Sequence, residues 1–105
     1  MKARLFSLQF RFEEALKAYE SALAHIKREK DPQLWAETEV AVGTTHDELG
    51  TRVEGQAAKE HLAAAVAAYR SALEIYTRQE LPQQWATTQN NLGVCNKSNF
   101  HYIPA

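Results

Sequence analysis

Sliding the sequence by 50 residues lays Phe12–Gly43 over Leu62–Gly93, and 13 of the 32 pairs are identical. The identities are Ala15, Ala18, Tyr19, Ser21, Ala22, Leu23, Arg28, Pro32, Gln33, Trp35, Ala36, Thr38 and Gly43 with their partners. A unit written twice at a fixed period constrains a chain more than any single motif. Such units bury an apolar face only by stacking on their neighbours. The repeated residues therefore mark packing positions first: Tyr19 with Tyr69, Trp35 with Trp85, and Gly43 with Gly93.

The pattern inside each copy is helical. Leu5, Leu8, Phe12, Ala15, Leu16, Tyr19, Ala22, Leu23 and Ile26 share one stripe of a 3.6-residue wheel, predicting a first helix over about 3–28. Phe6 and Phe10 point off that stripe, and two exposed phenylalanines one turn apart call for a cover. Asp31-Pro32 reads as a helix start, with Asp31 as N-cap and Pro32 at the first helical position. The second helix, about 32–49, carries a seam of Trp35, Thr38, Val42, Thr45 and Leu49. Gly43 falls mid-helix, where glycine costs roughly 1 kcal/mol against alanine; its recurrence as Gly93 predicts close approach by a neighbouring helix. After a polar loop, Gly50–Gln56, a third helix over about 57–78 repeats the first stripe. A fourth, about 83–95, repeats the second with Trp85, Thr88, Leu92 and Cys95. Residues 96–105 have no apolar period and read as a C-terminal tail. The reading is one all-α domain over 1–95, an antiparallel helix-turn-helix stack of about four helices.

These residues resemble the tetratricopeptide repeat family. Leu92-Gly93 matches the leucine–glycine pair of the family's first helix, and Val42-Gly43 is its near copy. Ala65, Tyr69 and Ala72, like Ala15, Tyr19 and Ala22, match the second-helix pattern, with tyrosine for phenylalanine. Pro32 and Pro82 match the proline that precedes the next unit. Trp35 and Trp85 stand one turn before the family's tryptophan, and the 50-residue spacing makes this a long-period form. The resemblance implies protein binding through a helix-lined groove, with polar residues of the first-type helices holding peptide backbone. Asn90, Asn91 and Gln84 are the candidates on this chain. The phase is unusual, because the chain opens on a second-type helix and closes on a first-type one. Two open ends predict self-association, as a homodimer, with Phe6, Phe10, Phe100 and Tyr102 as candidate contacts.

Composition narrows the alternatives. With 12 basic and 13 acidic residues the net charge is −1, which is not the basic footprint of a nucleic-acid binder. No apolar run approaches a membrane span, and no signal-peptide core opens the chain, so the expected compartment is the cytoplasm. A single cysteine, Cys95, permits no internal disulfide. The histidines at 25, 46, 61 and 101 show no metal-ligand spacing, and the glycines spell no phosphate loop. No cofactor and no catalysis are expected. The reading is a protein-interaction module; the rivals are a structural fragment of a longer array that assembles without a ligand and, more remotely, a small enzyme.

Overall fold

A computed structural model describes the backbone of residues 2–100 and the side chains of residues 8–97. The chain is all-α, with helices α1 (Lys2–His25), α2 (Pro32–Gly50), α3 (Gly55–Leu73) and α4 (Pro82–Phe100). Phe6, Phe100 and Tyr102 have side chains outside the described residues.

Each helix runs antiparallel to the next. Arg52, just past the end of α2, lies over Phe12 of α1 at 4.9 Å, whereas Trp35 at its start lies under Arg28 beyond the end of α1 at 4.6 Å. Gly43 and Gly50 of α2 meet Tyr69 and Leu62 of α3, and Ala65, Val66 and Tyr69 of α3 cluster with Cys95 of α4. The most extensive packing joins α2 to α3. Among the described residues α1 packs only on α2, so α1 and α4 lie at opposite ends of an open stack. Its smallest dimension is 19 Å, the thickness of two helices.

Four boundaries differ from the sequence reading. α1 ends at His25, and α3 spans Gly55–Leu73 rather than 57–78, because the chain leaves each helix through a tight turn. In the first turn the Lys30 and Asp31 amides donate to the Lys27 carbonyl, and in the second the Thr77 side chain accepts from the Glu80 amide. α4 continues to Phe100, through the start of the supposed tail, just as α2 continues to Gly50 at the equivalent position. Gly55, expected in the loop, begins α3 at φ +67°, the one left-handed residue in the described chain. Asp31 does stand before Pro32, but its side chain makes no cap hydrogen bond. Its carbonyl accepts from the Trp35 amide at 3.0 Å, and Leu81 does the same for Trp85 at 2.8 Å. A backbone cap of this kind works as well with leucine as with aspartate.

The seams of α2 and α3 bury for the most part as their spacing predicts, whereas Trp35 and the α1 stripe from Leu8 to Ile26 are only half-buried. Thr38, Val42, Thr45 and Leu49 of α2 are buried, as are Leu62, Ala65, Val66, Tyr69 and Ala72 of α3. The threonines are admissible because their hydroxyls donate back into their own helix, Thr38 to the Leu34 carbonyl (2.8 Å) and Thr45 to that of Ala41 (2.7 Å). No buried side-chain polar atom among the described residues lacks a partner. Each leucine-sized side chain so removed from water contributes on the order of 2 kcal/mol before chain entropy is subtracted.

Candidate functional site

Between α2 and α4 lies a shallow, open depression of about 380 Å³, lined by Glu37, Val40, Tyr76, Gln83, Gln84, Thr87 and Thr88. The repeat builds it. Val40 packs with Ala36, Ala72 and Tyr76, and the same cluster takes in Trp85 and Leu81 from the start of α4. Ordinary helix periodicity then turns Glu37 on one side and Gln83, Gln84 and Thr87 on the other toward the opening. Tyr76 is buried beneath them, and burial, with the Glu37 carboxylate nearby, raises its pKa. The result is an apolar floor rimmed by Gln83, Gln84 and Thr87, which can both donate and accept hydrogen bonds, and by the Glu37 carboxylate, which accepts them.

Of the three predicted groove residues, Gln84 lines this depression. Asn90 and Asn91 do not: Asn90 lies exposed further along α4, and Asn91 is half-buried. Sequence reasoning passed over Glu37, Val40 and Thr87. The second-type residue Tyr76, read as core, is both core and floor. Of the predicted self-association residues, Phe10 is 61% exposed, and the other three lie outside the described side chains.

The repeated packing positions separate into two kinds. Trp35 and Trp85 both sit half-buried beneath an arginine, Arg28 at 4.6 Å and Arg78 at 5.6 Å. Arg28 also reaches across to Glu74 at 2.6 Å, an exposed pair worth little by itself. Gly43 and Gly93 differ. A Cβ at Gly43 would stand 2.6 Å from the Tyr69 ring, while at Gly93 it would meet nothing within 4 Å among the described residues. The expected close approach therefore holds at Gly43 alone, because only α2 is followed by a helix on that side.

Two groups could in principle do chemistry. Cys95 is fully buried, and burial, with Asp47 adding to it, pushes its thiol up to about 12. It is protonated at neutral pH and is packed as a small apolar side chain. His46 and His61, 15 positions apart, meet across α2 and α3 with Nδ1 atoms 3.0 Å apart. Burial lowers the pKa of His46, the charge of His61 lowers it further, and Glu20 acts in the opposite sense. Among the described residues no three histidine, cysteine or acidic side chains converge on a metal-sized site. No helix among them is long and apolar enough to cross a membrane. No protein-family model, curated protein or solved structure matches this chain.

Proposed function

We propose that the chain is a tetratricopeptide-like interaction module, cytoplasmic and non-catalytic, that holds a peptide or helix in the α2–α4 depression and self-associates through its open ends. The observation that carries the reading is the lining of that depression. Val40 and Tyr76 supply an apolar floor, and Glu37, Gln83, Gln84 and Thr87 supply rim groups suited to backbone amides and carbonyls. Gln84 and Thr87 are exposed, so they are free to bond a ligand. The resemblance of the repeat to tetratricopeptide units supports the same groove, since α2 and α4 are the first-type helices of the two copies.

A random-peptide library selected on the immobilised chain tests this. Enriched peptides should lose binding when Gln84→Arg and Thr87→Arg fill the depression, while far-ultraviolet circular dichroism is unchanged. Peptides that bind the double variant as well as the parent chain would place recognition elsewhere.

A further inference from the structure

α3 is the repeat equivalent of α1, and α4 of α2, yet the two members of each pair are not equally covered. α3 lies between α2 and α4, and Leu62, Ala65, Tyr69 and Ala72 are shielded from water. Their counterparts on α1, Phe12, Ala15, Tyr19 and Ala22, are all only half-buried. Ala68, one position before Tyr69, is 6% exposed, whereas its counterpart Ala18 is exposed. On the other partner the same difference appears: Ala36 and Gly43 of α2 are buried, and Ala86 and Gly93 of α4 are exposed.

The uncovered positions are the two halves of one interface that exists already within the chain. α2 presents Ala36 and Gly43, and α3 lays Tyr69 against the glycine. α4 presents Ala86 and Gly93 at the same spacing, and α1 carries Tyr19 at the tyrosine position. We infer that copies of this chain assemble head to tail, α1 of one copy docking on α4 of the next as α3 docks on α2. The inference rests on the self-association in the proposed function and replaces the expected phenylalanine contacts with a specific register.

In that register Tyr19 of the second copy fills the open space over Gly93, and Ala18 faces the same helix. The histidine pair at 46 and 61 becomes Asn96 with Arg11 of the second copy, an acceptor facing a donor. Thr44, whose hydroxyl bonds the Tyr69 hydroxyl at 3.1 Å, becomes Val94, 52% exposed and able to meet the ring edge. Asn90 replaces Val40, so the contact between copies is more polar than the one inside the chain. Phe10 is not part of it. Its counterpart Glu60 stays exposed although α3 has both neighbours in place, so stacking leaves position 10 in solvent. An interface of two different patches does not close on itself at two chains, and growth continues until a ring forms or copies run out.

The test uses Ala18→Arg and Gly93→Arg, both at exposed positions, with mass measured by light scattering during gel filtration. The parent chain should show a mass that climbs with concentration past the dimer. Each variant alone should run at the 11.9 kDa of one chain. An equimolar mixture should give a discrete dimer, because Ala18→Arg keeps a sound α4 and Gly93→Arg a sound α1. Circular dichroism checks the fold of each, and Ser21→Arg, also on exposed α1 surface, substitutes for Ala18→Arg if that variant unfolds. A mixture that stays monomeric while the parent chain assembles overturns the register. Dissociation by Phe10→Glu alone also overturns it while leaving self-association standing. A parent chain that is monomeric at every concentration removes both, and leaves peptide binding in the depression as a separate matter.

Discussion

One substitution made at two equivalent positions should have opposite signs. Gly43 and Gly93 occupy the same place in the repeat, so alanine brings the same gain in helix propensity, roughly 1 kcal/mol, to both. At Gly93 nothing among the described residues lies within 4 Å of the new methyl, and the gain is realised. At Gly43 the methyl would stand 2.6, 2.8 and 3.0 Å from three atoms of the Tyr69 ring. That ring is not a loose end. It is 1% exposed, is packed with Cys95 of α4, and is tethered by its hydroxyl to Thr44. Either α3 shifts or the ring leaves its rotamer, and overpacking of this kind costs about 1–3 kcal/mol, occasionally more. The balance is a loss of up to about 2 kcal/mol for Gly43→Ala against a gain of up to about 1 kcal/mol for Gly93→Ala. At ~4–8 °C per kcal/mol in a domain of this size, the two melting temperatures should separate by on the order of 10 °C. Urea unfolding followed by circular dichroism in dilute solution measures both without interference from assembly, which would itself add stability. A Gly43→Ala chain as stable as Gly93→Ala would refute the close contact of α2 with Tyr69, and with it the template for head-to-tail docking.

Three further outcomes follow from the interior. The His46 pKa is lowered in the folded chain, so the unfolded chain binds more protons below the ordinary histidine value of about 6.5. The stability this contributes is complete above that value and is lost as pH falls from it through the lower folded-state value. Melting temperature should drop more between pH 7.5 and 5.5 in the parent chain than in His46→Asn, which carries the residue of the equivalent position 96; equal drops would contradict it. Cys95, buried and held protonated, should resist iodoacetamide at pH 8 in native buffer and react rapidly in urea, and fast native labelling would show that α4 is not seated. Tyr69→Phe removes the bond to Thr44 but keeps the ring, and should cost about 1 kcal/mol in urea unfolding, with no loss if that bond is not made.

Helix number and the buried faces were legible because the apolar period is strong and is written twice. Helix ends were less so. The extension of α4 through residues 96–100 was hidden by Asn96, Lys97, Ser98 and Asn99, weak or polar helix formers that break the identity with the first copy. The 50-residue shift, carried past Gly93, would have placed them opposite the helical residues 46–49. The histidine pair was invisible to spacing rules, which look along one helix at i and i+4. It becomes visible only when the antiparallel register set by Gly43–Tyr69 and Gly50–Leu62 brings the second half of α2 beside the first half of α3. The groove was half legible. Amides were sought along all of α4, but the depression opens beside Glu37 and Val40 in the first half of α2, and so Gln83 and Gln84 line it while Asn90 does not.

The same register explains why the two copies diverge where they do. Positions facing the interior of the stack are kept in kind: Trp35 with Trp85, Thr38 with Thr88, Val42 with Leu92, and Thr45 with Cys95, small or apolar in both. Of the positions that an adjoining helix covers on α2 but not on α4, Val40 becomes Asn90 and His46 becomes Asn96, Glu39 and Gln89 are polar in both copies, and Ala36 and Gly43 recur unchanged as Ala86 and Gly93. An apolar surface left bare would associate without discrimination, whereas amides cost little in water and can still hydrogen-bond a partner that arrives in register. Ala86 and Gly93 are kept although both are exposed. Mid-helix glycine lowers stability and, with open space around it, returns nothing to the isolated chain. In the proposed head-to-tail docking it gains a use, because the ring of Tyr19 from a second copy lies over it as Tyr69 lies over Gly43.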